Sequence, residues 1–411
     1  MKVVIYTLTL SVVVALSAYT LLFGEANAEV PQKDVKVHQK EGEVVVKKRD
    51  GSYQVRKVGR EDPARAAKKI KETEPDVEEA GPNMGVPVGQ EGLLQPSPGG
   101  ILNPILGGTL PSDPLVADQP NLTASPMRFD AAWAGAGGSK GDGQVVGVVD
   151  TGFQQDHPDL ASKVFSQYDF VGEDAEADPY NYHGSAVSSV AAAETNDNEG
   201  MAGAGWNAMF SHAKACTDLC YTADTAPAVD WLVGQGVKQI NLSFGAIGYG
   251  YGTNDDPVLK KAISDAQAAN VLVVSIMGND GVETDNFGPG CWPDVLAVGG
   301  TNRDATDWYP KSNWGPCLDV AAPSQDILSA MKPSDCSGNL YCNATGTSFG
   351  APHVAAVSAL VREKYPSMTQ TQVAERIVKV AKARSFPGYP PGDSVKVLSA
   401  KCAVKPGSTG C

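Results

Sequence analysis

Gln144-Val145-Val146-Gly147-Val148-Val149-Asp150-Thr151-Gly152 is an apolar run that ends in a carboxylate and a turn. It lacks the alternation of a half-exposed strand and reads as a strand buried on both faces. Four further runs share this character, at 209–215, 237–243, 271–277 and 295–299. Between them lie windows of helical spacing at 183–193, 226–234, 256–269, 351–364 and 369–384, and in the last Val373, Ile377, Val380 and Ala381 share one face. Buried strands alternating with helices predict an α/β fold of three layers, α/β/α, with a mainly parallel central sheet. Ligands on such sheets bind beyond the carboxyl ends of the strands. Asp150 stands at such an end. A lone Asp-Thr-Gly is more commonly a cap at a strand-to-helix junction, and aspartic proteases, which also use it, need two copies where this chain has one.

Two other segments change that balance. Asn181-Tyr182-His183-Gly184-Ser185-Ala186-Val187 opens a helix of small residues and sets His183 at its start. Gly346-Thr347-Ser348-Phe349-Gly350-Ala351-Pro352-His353 precedes an apolar helix over 354–364. Pro352 suits a first helical turn, which needs no amide hydrogen. A serine held there sits in a positive field that favours a developing oxyanion. Each motif alone has a bland reading: a structural histidine, a capping serine. Together they supply the three groups of nucleophilic catalysis: a hydroxyl, a base to take its proton and a carboxylate to orient the base.

With the order Asp150, His183, Ser348 and these flanks, the chain resembles the subtilisin family of serine proteases over roughly residues 115–400. The resemblance implies a serine-type endopeptidase that hydrolyses polypeptides through an acyl-enzyme. It makes Asp150 the orienting carboxylate, His183 the base and Ser348 the nucleophile. Asn279, closing the buried strand that ends Met277-Gly278-Asn279, becomes the oxyanion donor. Ser243, Phe244 and Gly245 resemble the edge that pairs with substrate backbone, as an added strand would. Asp159 and Asp197 match positions that hold a structural calcium in the family, and no catalytic metal is implied. Phe287 and Trp292 fall where the specificity pocket is expected, in a stretch that does not align. The histidine motif departs from the family pattern at Ser185, Ala186 and Ser189, which motivates an alternative: an inactive binding protein of the same fold. An esterase is disfavoured, since those enzymes use Gly-x-Ser-x-Gly and the order Ser, Asp, His.

The rest of the chain fits an exported zymogen. Lys2, the apolar run 3–23 and Ala26-Asn27-Ala28 read as a signal peptide over 1–28, with a retained membrane anchor as the lesser reading. A charged pro-region follows at 29–80, with a hairpin around Asp50-Gly51 and a helix near 63–72. Its place between signal and enzyme suggests self-inhibition. Eight glycines and eight prolines over 81–120 mark a linker, set at 81–114, before the peptidase domain at 115–411. The net charge of −14 resides wholly in residues 111–411, a surface that repels phosphate backbones and excludes nucleic acid as a partner. A secreted monomer is expected. All eight cysteines follow residue 215, and their spacing suggests disulfides 216–220, 291–317, 336–342 and 402–411.

Overall fold

The computed structural model describes residues 37–88, 91–96, 110–390 and 392–411. The signal segment, its cleavage site and linker residues 97–109 lie outside the described residues. In the pro-region, β1 (His38–Lys48) and β2 (Tyr53–Lys57) make the expected hairpin, followed by helix α1 (Pro63–Thr73) and β3 (Val77–Pro87). Strand β4 (Glu91–Pro96) follows. The peptidase region then contributes β5 (Val145–Asp150), β6 (Val164–Asp169), β7 (Met209–Lys214), β8 (Leu219–Tyr221) and β9 (Gln239–Leu242). After these come β10 (Ala246–Ile247), β11 (Leu272–Ile276), β12 (Phe287–Gly288), β13 (Leu296–Asn302) and β14 (Val320–Gln325). Strands β15 (Ile327–Ala330), β16 (Tyr341–Thr345), β17 (Lys382–Ser385) and β18 (Ser394–Val397) complete the set. Its longer helices are α2 (His183–Ala192), α3 (Thr222–Gly234), α4 (Pro257–Ala268), α5 (Ala351–Lys364) and α6 (Gln370–Val380).

Nine strands form the central sheet in the order β17-β18-β14-β13-β11-β9-β5-β7-β6. Every neighbouring pair is parallel except the edge pair β17–β18. Alternate residues of β5 serve opposite faces: Val146 and Val148 join the core under α2 and α5, and Val149 joins the core under α3 and α4. This is the expected three-layer fold. All four disulfides join the cysteines that spacing paired.

Two boundaries are corrected. The helix expected over 369–384 stops at Val380, and Lys382–Ser385 becomes an edge strand paired with β18. Its apolar stripe runs out there: Val373 and Ile377 are buried, but the next turn offers Arg384 and Ser385, both exposed. The linker set at 81–114 begins inside a strand. β3 runs on to Pro87, between β1 and β8, so its backbone groups are paired on both sides. Its glycine content serves close contact: a Cβ at Gly85 would lie 2.5 Å from the Tyr221 ring.

The segment expected to be the pro-region thus shares one four-stranded sheet, β2-β1-β3-β8, with the region that follows. One face of β1 packs Val44 and Val46 against Ala66 and Ala67 of α1. From the other face Val45, with Met84, Val86 and Val88, joins the core under α3 and α4. Each such buried side chain contributes roughly 1.5–3 kcal/mol relative to exposure.

Candidate active site

Parallel strands bring their carboxyl ends to one edge, and there β5 delivers Asp150. Its main-chain carbonyl accepts the Ala215 and Cys216 amides at 2.9 and 3.2 Å. Its Oδ1 accepts the Thr151 amide at 2.7 Å and faces His183 Nδ1 at 2.8 Å. Asp150 and His183 are both buried. The carboxylate accepts, so Nδ1 carries the proton and Nε2 is left with its lone pair. Among the described residues His183 Nε2 has no hydrogen-bond partner.

The ring is aimed by residues that pattern reading passed over. The Thr151 hydroxyl donates to Asn181 Oδ1 at 2.9 Å and accepts the Gly184 amide at 3.0 Å. Asn181 Oδ1 also accepts the His183 amide at 2.9 Å, serving a helix N-terminus that lacks a side-chain cap of its own. A Cβ at Gly184 would lie 2.1 Å from the Gly152 carbonyl, so only glycine lets the helix come this close to the turn after Asp150. The departures in the histidine motif find partners. Ser185 Oγ accepts the Gln154 amide at 2.8 Å, and Ser189 Oγ accepts the Ala330 amide at 2.9 Å. The helix is unbroken from His183 to Ala192.

Below the turn lies His212, fully buried on β7. Its Nε2 accepts the Gly152 amide at 3.1 Å, so its Nδ1 holds the proton and donates to Ser188 Oγ at 3.0 Å. Burial pushes its pKa down to about 4, against the pull of the nearby Asp150 charge. His353 plays a matching part behind the serine. Asn121 Nδ2 donates to its Nε2 at 2.9 Å, and its Nδ1 donates to the Phe349 carbonyl at 2.8 Å. Burial lowers this pKa also to about 4.

Ser348 sits in a single turn, Thr347–Phe349, just ahead of α5, with the His183 ring 5.7 Å from the ring of Phe349. Its hydroxyl donates to the Ser243 carbonyl at 3.3 Å, and its own carbonyl accepts the Ser243 hydroxyl at 2.9 Å. Ser243 therefore supports the nucleophile's backbone, and Asn241 Nδ2 donates to its hydroxyl at 2.8 Å. Asn279 is fixed by its amide oxygen, which accepts the Thr347 amide at 2.8 Å and the Thr347 hydroxyl at 2.9 Å. That leaves its Nδ2 donors pointing away from Thr347, beside Gly346. Asn313 holds the Asn279 loop, with Oδ1 accepting the Asp280 and Val282 amides at 2.9 and 3.2 Å. No motif gave the roles of Thr347, Asn313 or His212, because their partners, the Asn279 side chain for Thr347 and backbone amides for the other two, are distant in sequence.

Phe244 of the expected substrate edge is already engaged. It forms an antiparallel bridge with Val88, in the stretch expected to be linker, and both side chains are buried. Gly245 follows with φ 158. The two calcium candidates lie near one another, and burial, helped by the charge of Asp197, pushes the Asp159 pKa up. Asp159 is buried and accepts the Met201 amide through Oδ2 at 2.8 Å, leaving Oδ1 without a partner. Exposed Asp197 accepts the Glu199 amide at 2.9 Å. Beside them, Asp113 spends both oxygens on the Asn196 amide. Among the described residues no group of three or more His, Cys, Asp or Glu side chains is placed to hold a metal.

A family model described as the subtilase family matches residues 141–394. Over 238 residues the chain is 36% identical to the thermophilic serine proteinase of Bacillus sp. strain AK1, which spans 56% of this chain but only 55% of that protein. Thermitase of Thermoactinomyces vulgaris is 31% identical over 269 residues, 64% of this chain and 89% of that one. Among solved structures, a protease from Pseudoalteromonas arctica matches with a TM-score of 0.64 at 27% identity, over 72% of this chain and 99% of its own. Fervidolysin from Fervidobacterium pennivorans, a keratinolytic enzyme related to subtilisin, matches with a TM-score of 0.70 over 89% of this chain and 61% of its own. At 20% identity that likeness concerns the fold alone.

The buried His212 makes stability depend on acid. The unfolded chain protonates this imidazole near 6.5, the folded chain only near 4. Stability from this group is complete above pH 6.5 and is lost as pH falls toward 4, because the unfolded state then binds the extra proton. The loss amounts to about 3 kcal/mol by pH 4. Urea unfolding of wild type and His212→Gln should therefore give a stability gap that shrinks by about that amount between pH 7 and pH 4. A gap that does not change with pH would contradict neutral burial of His212.

Proposed function

The chain belongs to the subtilase family, a family of serine-type endopeptidases, and on that premise we propose that it cleaves polypeptides with Ser348, His183 and Asp150. The observation that carries this reading is the 2.8 Å contact between Asp150 Oδ1 and His183 Nδ1, which leaves Nε2 unbonded beside the serine turn. In the reaction the Ser348 hydroxyl turns from the Ser243 carbonyl toward His183 Nε2 and gives up its proton there as Oγ bonds to the substrate carbonyl carbon. The negative charge on the carbonyl oxygen is met by Asn279 Nδ2, held in place by Thr347. Asp150 stabilises the imidazolium without taking its proton. Collapse breaks the C–N bond, and the His183 proton passes to the leaving amine. Water then attacks the acyl-enzyme by the same steps in reverse, releasing the acid and restoring the hydroxyl. Removal of an oxyanion donor such as Asn279 costs about 3–4 kcal/mol in this chemistry, a magnitude established on subtilisin itself.

The pro-region acts as the inhibitor of its own enzyme. Supporting this, β3 adds to β8 as a third party's strand would, and Val88 occupies the partner position of Phe244. Charge fixes the dock. Lys47, almost fully buried, lies 2.9 Å from Asp230 of α3 and 2.7 Å from Asp265 of α4, and Glu78 lies 2.8 Å from Lys261. The Asn83 side chain accepts the Ala223 amide at the start of α3 at 3.1 Å. Four disulfides support an oxidising compartment outside the cytosol, in line with the N-terminal export signal.

A serine-directed fluorophosphonate should label the processed protein and leave Ser348→Ala unlabelled. Absence of labelling in both would favour an inactive binding protein. In inhibition assays with the separated pro-region added to mature enzyme, Lys47→Glu should raise the inhibition constant at least about tenfold, equivalent to about 1.4 kcal/mol. An unchanged constant would detach Lys47 from the dock.

A further inference from the structure

We propose that the ring of Phe287 fills the slot meant for the side chain just before the cut bond, so that this peptidase cuts after glycine, with alanine the largest residue tolerated there. This rests on the peptidase reading above and adds the substrate class. Strands β9 and β11 are hydrogen-bonded neighbours, and past their carboxyl ends they continue as Ser243–Gly245 and Met277–Asn279. The first continuation carries the substrate edge, the second the oxyanion donor. A substrate paired along Phe244, with its carbonyl on Asn279, has to straddle the gap between them. Its side chain at that residue has only that gap to enter.

Phe287 occupies the gap. A Cβ at Gly245 would lie 2.5 Å from Phe287 Cε1, and a Cβ at Gly278 would lie 2.2 Å from Phe287 Cε2. The ring is thus pressed between the two walls, with glycine on each side, and is only 2% exposed. It has no room to withdraw. Its backbone is pinned by the pairing of Ile247 with Phe287 and Ala246 with Gly288. Behind it, a Cβ at Gly288 would lie 2.1 Å from the Tyr249 carbonyl and 2.6 Å from Trp292 Nε1. A second large side chain in this space would have to displace the ring from a packed core, which interiors resist.

The test is a digest of a denatured protein by the processed enzyme, with every cut mapped by mass spectrometry, alongside peptides that vary only the residue before the cut. The expected result is cuts after glycine and alanine, with kcat/KM for leucine or phenylalanine lower by about 100-fold or more. Phe287→Gly should accept the leucine and phenylalanine peptides, and if that variant does not fold the wild-type profile still decides. Frequent wild-type cuts after large residues overturn the slot assignment and leave the peptidase reading intact. No cuts from a protein that also fails to take up fluorophosphonate overturn both.

Discussion

The hydrogen bond from His183 Nδ1 to Asp150 Oδ1 is the contact around which the edge of the sheet is organised. It is buried, and it fixes at once which nitrogen carries the proton and which way the ring faces. Three layers of support converge on it. Amides of Ala215 and Cys216 hold the Asp150 backbone. Thr151 and Asn181 tie the aspartate turn to the start of α2, and His212 props that turn from below. A neutral, buried His212 can accept the Gly152 amide; a charged one could not. The site thus depends on a second histidine kept uncharged by burial.

Much of this was legible in the chain. Asp150 closes a run with no polar interruption, which only a strand covered on both faces tolerates, and the parallel sheet then puts its end where ligands bind. The Ser348 motif carried its helix and its proline with it. What escaped reading has a common cause: Thr347, His212 and Asn313 act on groups far away in sequence, and no local pattern encodes a partner 60 or more residues distant, as with Thr347 and Asn279 or His212 and Gly152. The strand over 382–385 escaped because its pairing partner β18 is short and polar outside. Glycines and prolines in β3 misled for another reason. Gly85 and Gly81 serve close approach to Tyr221 and Pro257 rather than freedom of the chain.

The edge strand β8 links the two halves of the account. An unpaired edge is a template for any extended segment, and in this form β3 has taken it. On the function proposed above, a substrate backbone along Phe244 has to displace Val88, which bridges Phe244 in this form. On the further proposal, side-chain choice is set beyond the ends of β9 and β11, where Phe287 stands between Gly245 and Gly278.

Nitrogen-15 NMR of histidine-labelled protein tests the central contact most directly. The account predicts that His183 carries its proton on Nδ1 at neutral pH, and that Asp150→Asn, whose amide can donate in place of accepting, moves that proton to Nε2. A His183 proton already on Nε2 in the wild type, or one indifferent to Asp150→Asn, would contradict it.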